Sequence, residues 1–238
     1  MELLMVRAYL FLAVFIPLTF LFSVSAIIST LFDSSGKVYA WHARLWSRLA
    51  LAMSHVNVTL SGSEHLPDGP VIFMSNHQSN YDIFSLLAAM PRQIHWIAKK
   101  ELFDIPFFGH SMRRGGYIPL DRSDGRKALL SMDEAAATIH HGKSVVIFPE
   151  GTRTTDGNLL PFKRGGFILA RKAAVPVVPV TINGSGSVNP GGQIKLKSGN
   201  IHIILHPPLV APLELRRSEA ETWMMENVRE RIESALEH

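Results

Sequence analysis

A histidine and an aspartate five positions apart, His77 and Asp82, stand in the polar run Asn76-His77-Gln78-Ser79-Asn80-Tyr81-Asp82. On a continuous helix, residues i and i+5 leave from different faces, so the pair could not meet there. Across a turn the carboxylate can fix one imidazole nitrogen and leave the other free to take a proton, as a general base requires. The same spacing also suits a capping or solvated loop group, and the rest of the chain must decide between them. A second candidate is Phe148-Pro149-Glu150-Gly151-Thr152-Arg153. Gly151 permits a tight turn that exposes backbone N–H groups, and Arg153 offers a planar fork for phosphate. Glu150 could accept from a ligand hydroxyl or hold the turn by bonding backbone donors. Arg122 closes Gly116-Tyr117-Ile118-Pro119-Leu120-Asp121-Arg122, while Lys99-Lys100 and Lys163-Arg164 add further positive charge. Any one of these is compatible with a solvated face, and an exposed Asp–Arg pair is worth little. Several at element ends beside a His–Asp pair describe one anion pocket.

Other chemistries find no support. The 238 residues contain no cysteine, which removes disulfides, thiolate catalysis and cysteine metal sites. The histidines lack His-Glu-x-x-His spacing, so no metal site is expected, and His140-His141 suit a helix carboxyl end. Gly142-Lys143-Ser144 resembles the tail of a phosphate loop, but Ala137 replaces the first glycine and the order runs helix to strand. No Gly-x-Ser-x-Gly elbow is present, which argues against a serine hydrolase. With 24 Lys+Arg against 20 Asp+Glu the net charge is +4, a balance compatible with an anionic ligand or membrane surface.

The elements that must position these residues follow from hydrophobic periodicity. Val71 to Ser75 reads as a buried strand and Ile83 to Ala89 as a helix, so His77 and Asp82 occupy the corner where open α/β sheets place their chemistry. Further strands are expected at Val56 to Leu60, Ile94 to Ala98, Tyr117 to Leu120, Ser144 to Phe148, Val177 to Ile182 and Ile201 to Leu205. Pro176 and Pro179 predict that the Val177 strand lies near an edge or that the prolines sit at strand ends. A helix from about Arg126 to His140 would be capped by Asp124, with Leu129, Met132, Ala136 and Ile139 inward and Gly142 ending it. Gly165 to Ala174 reads as a short helix. Ser218 with Glu221 predicts a capping box for a last helix presenting Met225, Val228, Ile232 and Ala235 on one face. Leu236-Glu237-His238 is set aside as the possible start of a tag. Alternating strands and helices predict an α/β fold with a largely parallel sheet flanked by helices, over residues 55–238.

Residues 1–54 differ in character. Ala8 to Phe32 is almost unbroken apolar sequence, long enough to cross a bilayer and longer than the core of a signal peptide. Val38 to Met53 places Trp41, Leu45, Trp46, Leu49 and Met53 at helical spacing among His42, Arg44 and Arg48, as suits a headgroup layer, although an ordinary helix packed on the body has the same pattern. The expectation is an amino-terminal two-helix membrane anchor. Basic residues after the first helix place the bulk of the protein on the cytoplasmic side.

Four blocks now stand in order: Asn76 to Asp82, Gly116 to Arg122, Phe148 to Arg153, and Val175-Pro176-Val177-Val178-Pro179-Val180. They resemble the ordered blocks of the glycerolipid acyltransferases, most closely the 1-acyl-sn-glycerol-3-phosphate acyltransferases of the bacterial PlsC type. The similarity covers roughly residues 56–210, and the amino-terminal helices match that family's two-helix anchor. It implies transfer of a fatty acyl group from acyl-carrier protein or coenzyme A to the 2-hydroxyl of lysophosphatidic acid, giving phosphatidic acid in phospholipid biosynthesis. His77 matches the catalytic base and Asp82 its orienting partner. Glu150, Gly151, Thr152 and Arg153 match the glycerol-phosphate-binding block, Arg122 a second phosphate contact, and Lys99 a basic position there. Pro119 and Leu120 depart from that second block, where an aromatic and Ile or Val are usual. The resemblance implies no cofactor beyond the acyl donor, membrane lipids as partners, no nucleic acid, and a bacterial inner membrane with the catalytic domain facing the cytoplasm. The rival readings are a sibling acyltransferase taking glycerol-3-phosphate, another lysophospholipid or a lyso-ornithine lipid, and a non-catalytic membrane-tethered lipid-phosphate binder.

Overall fold

The computed structural model describes residues 2–121, 125–190 and 193–237, without the side chain of Leu129. The elements run α1 (Glu2–Ser29), α2 (Lys37–Ser54), β1 (Val56–Ser61), β2 (Ile72–Ser75), α3 (Tyr81–Ala89), β3 (Ile94–Lys99), α4 (Phe108–Arg114), β4 (Ile118–Leu120), α5 (Gly125–His140), β5 (Ser144–Ile147), α6 (Gly165–Ala173), β6 (Val177–Asn183), α7 (Ser185–Val188), β7 (Gly199–Leu205) and α8 (Arg217–Glu233). The strands form one seven-stranded sheet in the order β1-β7-β6-β2-β5-β3-β4. β6, β2, β5, β3 and β4 are mutually parallel; β7 runs antiparallel to β6, and β1 pairs parallel with β7. The sheet is therefore mostly parallel and helix-flanked, as expected.

Side-chain alternation sorts the core into two layers. Val71 and Phe73 face one cluster with Leu86 and Leu87 of α3 and Ala50 and Leu51 of α2. Ile72 and Met74 face the other, with Met132 and Ile139 of α5, Phe167 of α6 and Val228 of α8. The topology explains why the crevice lies beside β2. From β2 the chain passes through α3 to β3, on the β5 side; from β5 it passes through α6 to β6, on the far side of β2. Right-handed crossovers in opposite directions must use opposite faces, so the loops leaving the neighbouring β2 and β5 separate and open a cleft at their carboxyl ends.

Three expectations need correction. β6 is not an edge strand: it lies between β2 and β7 with every residue buried. Pro179 is tolerated there because its missing N–H faces the side where β7 departs. The Val180–Leu205 pair is the last of that ladder, His206 N–H donates to the Pro179 carbonyl at 3.0 Å, and pairing resumes only at Val177 with Leu209. The intervening Pro207-Pro208 supplies no donors of its own. At α8, Glu219 rather than Glu221 bonds back, accepting from the Arg216 N–H at 3.0 Å. Glu221 is buried and instead binds Arg164 at 3.0 Å and Arg171 at 2.9 Å, tying α8 to α6. The inner face of α8 carries Met224 beside Val228 and Ile232, with Met225 half-buried against the same cluster, while Ala235 lies beyond the end of the helix. The proposed cap Asp124 lies outside the described residues.

Of the two amino-terminal helices, only α1 is long and apolar enough to cross a membrane, with a mean hydropathy of 2.5. α2 is packed on α3, burying Ser47, Ala50, Leu51 and Ser54. Polar contacts bind α1 to it: Arg7 donates to the Ser54 carbonyl at 2.6 Å and Trp46 Nε1 to Thr19 Oγ1 at 2.9 Å. Phe15 stacks on Trp46 and meets Phe84 of α3 edge-on, so α1 also covers the body.

Candidate active site

β2 ends at Ser75 and α3 begins at Tyr81, and the five residues between make the corner. Asn76 fixes its first half to the neighbouring strand, donating to the Ile182 carbonyl and accepting from the Ile182 N–H, each at 2.8 Å. In the second half, Asp82 Oδ2 accepts three hydrogen bonds, from His77 Nδ1 at 2.7 Å, Gln78 N–H at 2.8 Å and Ser79 N–H at 2.9 Å. A carboxylate in the first turn of α3 suits the positive end of that helix. Asp82 is wholly buried, and its Oδ1 has no hydrogen-bond partner among the described residues. An ionised Asp82 requires the imidazole proton on Nδ1, which leaves Nε2 as the basic atom. His77 and Asp82, read from sequence as a pair meeting across a turn, do meet.

The segment after β5 closes over this corner. The Phe148 ring stacks on the imidazole with centroids 3.8 Å apart and planes 9° from parallel, and Trp96 stacks behind Phe148 at 5.6 Å. Gly151 takes a left-handed φ of 74° in a turn closed by its N–H to the Phe148 carbonyl. Glu150 does not face the cleft. It is 1 % exposed, and its two oxygens accept from the His77 N–H at 2.7 Å and the Leu160 N–H at 2.8 Å. Burial raises its pKa, against the opposing pull of those two backbone donors. Of the two roles open to it from sequence, holding the backbone is the one its geometry meets. Thr154 N–H donates to the His77 carbonyl at 2.9 Å, a second tie from the loop to the corner, and Lys163 N–H donates to the Pro149 carbonyl at 2.8 Å, which closes the loop on itself.

The corner opens on a cavity of about 1070 Å³. Its polar end is lined by His77, Asn80, Lys99, Gly151, Thr152, Arg153 and Lys163. Its apolar end runs between the helices, past Phe11 and Phe15 of α1, Trp46 of α2, Phe84 and Leu87 of α3 and Met112 of α4. Lys99 stands at the carboxyl end of β3, and the Arg153 guanidinium is steadied by Asn80 Oδ1 at 2.9 Å. A shape with cations beside a base at one end and hydrocarbon at the other fits an amphiphile with an anionic head.

The remaining sequence candidates divide. Lys100 turns to Asp121 at 3.2 Å and Arg164 to Glu221, so neither joins the cavity, whereas Lys163 does. Arg122 lies outside the described residues. Sequence reasoning passed over Phe148 and Asn80 as site residues. Both lie inside the singled-out blocks, but a stacking face and an amide that steadies an arginine have no signal of their own in spacing.

A family model described as Acyltransferase matches residues 57–183. A chloroplastic 1-acyl-sn-glycerol-3-phosphate acyltransferase of Brassica napus is 38% identical over 176 residues, covering 73% of this chain and 51% of that protein. One of Pseudomonas aeruginosa with the same enzyme name is 30% identical over 203 residues, covering 81% of this chain and 78% of that one. The chain spans about half the length of the chloroplastic relatives it matches. The crystal structure of the 1-acyl-sn-glycerophosphate (LPA) acyltransferase PlsC from Thermotoga maritima shares the fold, with a TM-score of 0.79 at 24% identity over 100% of this chain and 97% of that one. With the family model spanning more than half its length and the blocks around His77 and Arg153 lying inside that span, the chain belongs to the acyltransferase family.

Proposed function

We propose that the protein transfers a fatty acyl group from an acyl thioester, carried by acyl-carrier protein or coenzyme A, to the 2-hydroxyl of lysophosphatidic acid, yielding phosphatidic acid. The observation that carries the reading is His77, held by Asp82, in the wall of a cavity lined both by Lys99, Arg153 and Lys163 and by a long apolar stretch. The names of the relatives support the acceptor.

In this reading Arg153, Lys99 and Lys163 take the phosphate, Thr152 adds a hydroxyl, and hydrocarbon fills the space among α1, α2, α3 and α4. Charge-assisted hydrogen bonds from guanidinium to phosphate fix the acceptor, so its hydroxyl arrives at His77 with its orientation set. Nε2 removes the hydroxyl proton as the oxygen bonds to the thioester carbonyl carbon. The carbon–sulfur bond then breaks, and the imidazolium returns the proton to the departing sulfur. Asp82 stabilises the intervening imidazolium and does not itself need a proton. Without cysteine or a serine elbow the transfer is direct, with no acyl-enzyme; trapping of an acylated protein during turnover would overturn that step.

Residues 1–54 anchor the enzyme at the lipid surface through α1, with the bulk of the protein on the cytoplasmic side. Acyl chains favour the bilayer by about 0.8 kcal/mol per methylene while the phosphate stays at the interface, so a cavity walled by α1 lets the lysolipid enter without leaving the membrane. Membranes carrying the protein or its His77→Ala variant, given lysophosphatidic acid and labelled acyl-coenzyme A or acyl-carrier protein, test the reading. Labelled phosphatidic acid from the wild type alone is the expected result. Product from both, or lipid binding without product in both, would refute it.

A further inference from the structure

We infer that the tripeptide Phe148-Pro149-Glu150 is the holder of the base His77, with Glu150 and Phe148 as positioning residues and neither as a contact to the acceptor headgroup. The inference rests on the proposed role of His77. Its ground is that two side chains of one tripeptide grip one histidine at both ends. The Glu150 carboxylate fixes the His77 backbone through Oε1, and the Phe148 ring lies flat against the His77 imidazole. Oε2 is spent on Leu160 N–H, so the same carboxylate ties the corner after β2 to the loop that carries Arg153. At 1 % exposure, with each oxygen turned to a backbone N–H, Glu150 presents almost no acceptor surface to a substrate hydroxyl.

The division of work follows from chemistry. Asp82 controls the position of Nδ1 and the tautomer, yet one hydrogen bond leaves the ring free to swing about it. A flat aromatic face removes that freedom and meets the imidazolium that forms during turnover with its negative quadrupole. Fixing the histidine main chain to the Arg153 loop sets the distance between base and bound acceptor, and a displacement of about 1 Å there can cost roughly 10²-fold in rate.

The test compares Glu150→Gln, Phe148→Leu and Phe148→Tyr in the full chain, with His77→Ala as reference, by kcat, KM for lysophosphatidic acid and thermal unfolding. Gln keeps one acceptor but turns an amide NH₂ against the second backbone N–H. A holder predicts that Glu150→Gln lowers kcat by about 10²-fold with KM for the acceptor nearly unchanged. Phe148→Leu should lower kcat by about tenfold, and Phe148→Tyr, which keeps the aromatic face, should restore it. A rise in KM at unchanged kcat for Glu150→Gln would return that residue to the headgroup and overturn the inference. So would a Phe148→Tyr protein no better than Phe148→Leu while both melt at the wild-type temperature. Activity surviving in His77→Ala would instead strike the proposed function, which keeps the two failures apart.

Discussion

Asp82→Asn should be a mild lesion for a residue at the centre of the site, and the reason lies in which oxygen is used. All three donors, from His77, Gln78 and Ser79, converge on Oδ2, while Oδ1 has no partner among the described residues. An asparagine can therefore put its carbonyl oxygen at the Oδ2 position and its amide nitrogen where Oδ1 bonds nothing. The reverse orientation would set NH₂ against three donors. Geometry and tautomer survive, the charge is lost, and the buried amide N–H groups go unpaired, at about 1–3 kcal/mol of stability. Replacing a charge-assisted hydrogen bond by a neutral one forfeits about 1.5 kcal/mol. The Coulomb attraction lost by the imidazolium, at roughly 4 Å and an effective dielectric constant of about 20, reaches roughly 4 kcal/mol. The expected fall in kcat thus lies between about 10-fold and about 10³-fold, short of the roughly 10⁴-fold loss that follows when an amide forces the wrong tautomer in a Ser–His–Asp triad. Asp82→Ala is different in kind. It strands the N–H groups of Gln78 and Ser79 in a buried corner, at about 1–3 kcal/mol each, and should lower the melting temperature as well as the rate. Steady-state kinetics with acyl-coenzyme A and lysophosphatidic acid, paired with thermal unfolding of both variants, make the comparison. An Asp82→Asn protein as inactive as His77→Ala, yet as stable as wild type, would show that this account of the carboxylate is wrong.

Arg153→Ala should raise KM for lysophosphatidic acid by about 10–10²-fold with a smaller effect on kcat, because it removes a ground-state grip on the phosphate; unchanged KM would place the headgroup elsewhere. His95, 2 % exposed on β3, carries a pKa lowered to about 4 by burial, with Lys143 adding to the effect and the Ser144 carbonyl opposing it. The unfolded chain takes up that proton below about 6.5 while the folded one does not until about 4, so stability is lost as pH falls through this window, by about 3 kcal/mol from this group. His95→Gln, which keeps an amide donor for Ser144, should show a correspondingly shallower loss in denaturant titrations from pH 7 to 4, and equal slopes would refute the assignment. Removing Met1 to Ser54 takes away Phe11, Phe15 and Trp46 from the cavity wall and the partner of α3, so the truncated chain should be poorly active even on detergent-dispersed substrate. Full activity on bilayer-embedded substrate would show that these helices neither anchor nor enclose.

Sequence by itself determined the alternation of strands and helices and the meeting of His77 with Asp82. Both are local: periodicity reports which face a residue presents, and a turn between strand and helix leaves a pair at this spacing few ways to lie. It also carried the cationic character of Arg153 and Lys99, since those residues follow or end strands whose carboxyl ends share one edge of the sheet. Tertiary structure alone decided the rest. Pro179 sits inside the sheet because Pro207-Pro208, nearly thirty positions later, breaks the facing ladder. Glu221 was spent on Arg171 of another helix and Arg164 just before it, and not on a cap. Glu150 lies in a block that reads as phosphate-binding, but its oxygens point at His77 and Leu160, the first of them 73 positions away. A carboxylate's role is set by the donors that surround it once the chain is folded, and residue type and spacing state only what it is able to accept.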